Sequence, residues 1–140
     1  MMNRFIFVYG TLMRGQEREF CWPRPVVSVQ AAVVQGALFD LGPYPALVPG
    51  TDWIIGELWE LDAANVDITL RVLDEVEWYN QVPGEDLYVR TEVSAVRIWD
   101  NSLVTALTYH YADVDALAGQ AQSIAPNALG FCQWRPLKEC

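Results

Sequence analysis

Histidine is nearly missing from this chain. Of its 140 residues only His110 carries an imidazole, which excludes a metal site built on several imidazoles and leaves a single partner for any Cys-His nucleophile. Basic residues are scarce as well: nine Lys and Arg stand against eighteen Asp and Glu, a formal charge of -9. Such a surface repels phosphate backbones and anionic lipids, so neither nucleic acid nor a membrane is expected as a partner. The three cysteines, Cys21, Cys132 and Cys140, are odd in number and widely spaced. They fit neither a zinc motif nor a disulfide framework, and a reducing cytoplasm is their simplest home. No apolar run reaches membrane-spanning length, and Met1-Met2-Asn3-Arg4 leads into a strand without a cleavage pattern. A Gly-rich phosphate loop, a Gly-x-Ser-x-Gly elbow and internal repeats are all absent.

What remains is a chain of single-domain length with 52% hydrophobic residues, enough to bury a substantial core. Its organising stretch is Phe5 to Gly15. Phe5, Phe7 and Tyr9 alternate with Ile6 and Val8, so both faces of the strand are apolar, as in a central strand covered on two sides. Gly10 breaks it. A turn of Gly10, Thr11 and Leu12 can bring backbone amides close to a carboxylate or a developing oxyanion, although the same residues also make an ordinary turn.

Arg14 to Phe20 holds at most a short helix, and Trp22-Pro23-Arg24-Pro25 forces an extended crossing. Val26 to Leu41 predicts a long strand bent or bulged at Gly36. Leu41 to Gly50, with three prolines and two glycines, reads as a rigid irregular loop that either walls a pocket or simply connects strands. Trp53 to Leu61 is a second apolar strand, and its Gly56 permits a bend or close approach. Leu87 to Trp99 alternates as a strand, with Tyr88 and Arg90 on one face. That pair suits a carboxylate ligand, or Arg90 is one rung of a surface ladder with Glu92 or another acid. Asp100-Asn101-Ser102 turns into a partner strand, Leu103 to Tyr111. A short helix follows near Ala112 to Gln122, where Asp113 and Asp115 read as caps and not as metal ligands.

The middle helix is the most informative element. Asp62 is a natural N-cap for Ala63 to Trp78. Val66, Leu70 and Leu73 define its core stripe, and the next place on that stripe falls to Glu77, about 20° from Val66 at 3.6 residues per turn. Glu75 points to the opposite side and Asp74 lies near the boundary. Apolar neighbours and the negative end of the helix dipole both disfavour the charged form of Glu77 and raise its pKa toward the range of a general acid/base, unless the helix frays and leaves it in water.

Phe7-Val8-Tyr9-Gly10-Thr11-Leu12 with Arg14-Gly15, then Gly56-Glu57-Leu58-Trp59, Leu73-Asp74-Glu75-Val76-Glu77 and Leu87-Tyr88-Val89-Arg90 resemble, in order and spacing, the gamma-glutamylcyclotransferase-like family, which includes gamma-glutamylamine cyclotransferases. The resemblance covers roughly the first hundred residues. It implies an α+β fold, a small mixed β-barrel flanked by short helices, with the pocket at the barrel mouth. It also implies an enzyme that uses no cofactor and no metal, converts a small gamma-glutamyl substrate to 5-oxoproline and releases the amine. By the same resemblance Glu77 is the catalytic acid/base, and Tyr9, Gly10, Thr11, Leu12, Tyr88 and Arg90 bind substrate. The chain departs from the family in carrying Trp78-Tyr79 where Gly-Tyr is frequent, which bears on pocket size, and Gly130 to Arg135 matches the family's ending only faintly. Two other readings stay open: a binding module for a small carboxylated metabolite without turnover, and a cysteine hydrolase pairing His110 with Cys21 or Cys132. Six tryptophans leave room for an apolar patch used in homodimer formation.

Overall fold

In a computed structural model, residues 3–134 are described; Cys140 and Arg135 lie outside them. Seven strands and two helices run in the order β1 (Phe5–Val8), β2 (Val26–Asp40), β3 (Pro45–Leu61), α1 (Val66–Val76), β4 (Tyr88–Arg97), β5 (Leu103–Tyr111), α2 (Val114–Gln120), β6 (Gln122–Ser123) and β7 (Phe131–Cys132). The pairings β2–β4, β4–β5, β5–β1, β1–β3 and β3–β2 return to their starting strand, so five strands close a barrel with no free edge. Only the β1–β5 pairing in that ring is parallel. This is the mixed barrel with short flanking helices that the motifs imply, and β6 and β7 extend it at β2 and β3.

Strand β1 is covered on both faces, as its double apolar alternation predicts. Phe7 and Tyr9 point into one core with Val34, Leu38, Ile54 and Leu58. Ile6 and Val8 point into a second core with Leu61, Val66 and Leu73, under α1. Burying both sides of a strand this short removes several hundred square ångströms of apolar surface from water, at about 25 cal/mol per Å².

The bend expected at Gly36 is present. Gly36 pairs with Asp52 while Ala37 pairs with Val48, so three residues of β3, Pro49-Gly50-Thr51, bulge out against none on β2. A Cβ on Gly50 would sit 2.7 Å from the Gly36 carbonyl group, which only two glycines face to face can tolerate.

The reading of Leu41 to Gly50 as an irregular loop is corrected here. Pro45 to Val48 belong to β3 and pair with Asp40 to Ala37. Each of the two prolines in this stretch of strand sits at its start or at the bulge, where a missing N–H costs no ladder bond, and the apolar run between them buries Ala46, Leu47 and Val48. Strands β6 and β7, two residues each, are too short to leave a periodic signal and were not expected from the sequence.

Candidate active site

The mouth of the barrel holds a small recess, with a cavity volume of about 80 Å³, that opens to solvent. Its walls come from the end of β1 and the following turn (Tyr9 to Leu12), from Arg18, from Tyr44 and Pro45, from the end of α1 (Val76, Glu77), and from Tyr88 and Tyr109. Of the residues singled out in the sequence, Glu77, Tyr9, Gly10, Thr11, Leu12 and Tyr88 therefore meet in one place.

Glu77 arrives there because α1 stops where it does. Asp62 accepts from Ala64 N at 2.9 Å and caps a single 3-10 turn, Ala63–Asn65, before α1 proper. At the other end Tyr79 N donates to Asp74 O at 2.8 Å and Trp78 N to Glu75 O at 3.2 Å, the paired bonds of a Schellman motif. The helix thus ends at Val76 with Glu77 as its cap, two residues short of the expected Trp78. That motif needs its next residue in the left-handed region, and Trp78 sits there at φ 53. A glycine here would answer a demand of the backbone, and Trp78 does not narrow the pocket: it is 45% exposed and does not line the recess. Trp78→Gly is expected to raise the unfolding free energy by about 0.5–1 kcal/mol in a denaturant titration, through relief of left-handed strain.

Asp74, one turn before Glu77, fixes the helix end laterally. Its carboxylate accepts from Arg90 Nη1 at 2.8 and 2.9 Å and from the Tyr109 hydroxyl at 2.6 Å. Arg90 also lies 5.6 Å from the ring centre of Tyr79. Arg90 stands apart from the recess; of its two readings the structure has the ordinary pairing with an acid, and that acid is Asp74 on the helix end and not Glu92. The Leu-Asp-x-x-Glu motif divides its labour: Asp74 anchors, Glu75 is exposed, and Glu77 faces the recess.

Burial raises the Glu77 pKa from 4.5 to about 7, against a smaller opposing pull from the positive charge of Arg18. Burial holds the Tyr9, Tyr88 and Tyr109 phenols protonated, with Asp74 adding to it at Tyr109 and the Glu77 charge contributing at all three. Those hydroxyls serve the frame: Tyr9 donates to Tyr109 O at 2.6 Å, Tyr88 to Pro45 O at 2.6 Å, and Tyr109 to Asp74. By contrast, the backbone N–H groups of Thr11 and Leu12 meet no acceptor among the described residues. They are what an incoming carboxylate or oxyanion can use.

The turn is held from behind. Glu57 accepts from Arg14 N and Arg14 Nε, each at 2.9 Å, and from Trp59 Nε1 at 3.2 Å. Trp59 stacks on Trp22 with ring centres 4.0 Å apart, and Trp22 Nε1 donates to Leu12 O at 2.9 Å. Gly56 completes that motif by close approach: a Cβ there would lie 2.3 Å from Val8 O. Gly10 answers a similar constraint, since its Cβ would lie 2.6 Å from the Pro45 ring, so it seats β3 against the turn as well as sparing the backbone. Glu57→Ala leaves Trp59 and the Arg14 amide without their acceptor, and a loss of about 1–2 kcal/mol of stability is expected in urea unfolding.

Sequence reasoning passed over Arg18, Tyr44, Pro45 and Tyr109. Tyr44 and Pro45 lie in the stretch for which a pocket wall was one reading, whereas Arg18 and Tyr109 carry no local pattern that sets them apart. The pairing of His110 with a cysteine gains no support. His110 Nε2 is buried without a hydrogen-bond partner, burial lowers the imidazole pKa, and burial raises the thiol pKa of both Cys21 and Cys132, the reverse of an activated nucleophile. Among the described residues no cluster of His, Cys, Asp and Glu could hold a metal ion, and no helix is long and apolar enough to cross a membrane.

Comparison with known proteins agrees with this architecture. The profile of the family described as "Gamma-glutamyl cyclotransferase, AIG2-like" matches residues 6–129. A Vibrio cholerae protein named "Putative gamma-glutamylcyclotransferase" is 34% identical over 77 residues, 54% of this chain and 64% of that protein, so the match spans just under two thirds of the relative. Among solved structures, an AIG2-like protein of Mus musculus superposes with a TM-score of 0.65 at 22% identity, over 99% of this chain and 100% of the other. YkqA of Bacillus subtilis gives 0.60 at 25% identity, over 79% of this chain but 36% of its own. The chain belongs to the gamma-glutamyl cyclotransferase, AIG2-like family.

Proposed function

We propose that the protein is a gamma-glutamyl cyclotransferase that converts a gamma-glutamyl amino acid or amine to 5-oxoproline and releases the amine. The free α-amine of the substrate attacks its own side-chain carbonyl carbon; a C–N bond forms to close the five-membered ring and the C–N bond to the leaving amine breaks. Both reacting groups sit in one molecule, so the chain has to hold a folded conformer and move protons. Glu77 takes a proton from the α-ammonium and returns one to the departing nitrogen, and the Thr11 and Leu12 amides stabilise the carbonyl oxygen as charge develops on it. One observation carries the reading: a carboxylate with a pKa near 7 shares a recess with a turn whose amides are free to bind.

The test is to incubate the protein with a panel of gamma-glutamyl amino acids and gamma-glutamylamines and to follow 5-oxoproline. Stoichiometric release of 5-oxoproline and amine is the expected result. Binding of these compounds without turnover on any member of the panel would replace the enzyme by a carboxylate-binding module of the same fold.

A further inference from the structure

Among the described residues, Arg18 is the one cation on the wall of the recess and Glu77 the one anion there. Arg4 pairs with Glu60, Arg14 with Glu57 and Arg90 with Asp74, and Arg97 bonds Gln30 and Ser102; Arg24 and Arg71, like Arg18, make no ion pair among the described residues, but both are exposed and lie off the recess. The Arg18 guanidinium forms no ion pair and no hydrogen bond among the described residues. Its backbone is nevertheless fixed, because Arg18 N donates to Thr11 O at 2.7 Å. That bond ties residue 18 to the turn that lines the recess, and the residue is half-buried. A half-buried guanidinium whose charge acts on Glu77 but which makes no ion pair and no hydrogen bond of its own is a place for an anion.

Which anion follows from what else the recess supplies. On the reading proposed above, on which this inference rests, the reacting end of the substrate lies between Glu77 and the Thr11 and Leu12 amides. The hydroxyls of Tyr9, Tyr88 and Tyr109 are committed to the frame. Beyond the scissile bond the group left to be recognised is the leaving group, and the charge waiting for it is positive. We infer that Arg18 binds the carboxylate of the departing amino acid, so that the preferred substrates are gamma-glutamyl amino acids with an anionic leaving group, not gamma-glutamyl derivatives of neutral or cationic amines.

The measurement is a selectivity ratio: kcat/KM for gamma-glutamyl-alanine divided by kcat/KM for gamma-glutamyl-ethylamide, in the intact chain and in Arg18→Gln and Arg18→Lys. A general effect of Arg18 on the Glu77 proton alters both substrates alike and cancels in the ratio. The ratio is expected to exceed one in the unaltered protein, to fall about tenfold in Arg18→Gln, mainly through KM for the alanine derivative, and to be partly retained in Arg18→Lys, which keeps the charge but not the fork. A ratio that stays within threefold of its starting value in Arg18→Gln overturns the assignment, and so does equal loss on both substrates, which would put Arg18 on the shared gamma-glutamyl portion. If the unaltered protein turns over neither these two compounds nor any other member of the panel, the cyclotransferase reading itself fails and takes this one with it. Should the glutamine variant be poorly folded, the unaltered protein decides with gamma-glutamyl-alanine amide, which lacks only the leaving-group carboxylate: a loss of about tenfold in kcat/KM against gamma-glutamyl-alanine is expected, and equal values for the two count against the assignment.

Discussion

Replacing Glu77 by glutamine is expected to lower kcat on a gamma-glutamyl substrate by about a hundredfold to ten-thousandfold, the usual contribution of a positioned acid/base group, while KM changes little. The amide keeps the shape of the carboxyl and loses its proton chemistry, so the loss falls on the reaction step. The pH dependence gives an independent check. As the base, Glu77 must be ionised, and with its pKa raised to about 7 by burial the rate should climb through neutrality; that limb should vanish in Glu77→Gln. Turnover that survives the substitution with the limb intact would remove Glu77 from the mechanism.

The same shift has a cost in stability whose sign can be worked out. The folded-state pKa of about 7 lies above the 4.5 of an unstrained glutamate, so the folded chain holds this proton more tightly than the unfolded one. The contribution of Glu77 to stability is therefore fully present below about pH 4.5 and is lost as pH rises through about 7. The difference corresponds to roughly 3 kcal/mol at 1.36 kcal/mol per pKa unit. Glu77→Gln is accordingly expected to be more stable than the parent by up to about that much at pH 8 and to show little difference at pH 4, by denaturant unfolding at the two values. A site that keeps a half-buried carboxylate at the expense of stability is one where that carboxylate is used.

How far the sequence reaches can be judged from two neighbours on α1. Glu77 was legible because direction on a helix is local: 3.6 residues per turn places it on the core stripe whatever packs there. Asp74 was not, because its partners Arg90 and Tyr109 lie 16 and 35 residues away, and the distance along the chain says nothing about which strand crosses the helix end. The barrel followed the same division. The bend at Gly36 was readable from one residue, whereas the pairing of Pro45 to Val48 with Asp40 to Ala37 was hidden by prolines whose tolerance depends on where the bulge falls. Arg18 was illegible for a related reason: its place in the recess is set by one backbone bond to Thr11, in a segment without periodicity.

Asp74→Ala carries the largest expected loss of stability, about 3 kcal/mol. Its carboxylate joins α1 to β4 and β5 at once, and removal leaves two donors facing a gap: Arg90, with 28% of its side chain exposed, and the buried Tyr109 hydroxyl. Stranding a partly buried charge costs more than losing the bond itself, although the remaining exposure of Arg90 keeps the figure below that of a fully buried pair. The double variant Asp74→Ala with Arg90→Met should recover part of the loss, because the stranded charge is gone, and a double-mutant cycle in urea measures how much. Since the same carboxylate fixes the last turn of α1, the single variant is also expected to lower kcat by slackening Glu77, one turn on. Simple additivity of the two substitutions would contradict the anchoring role, because the bond the two groups share cannot be lost twice.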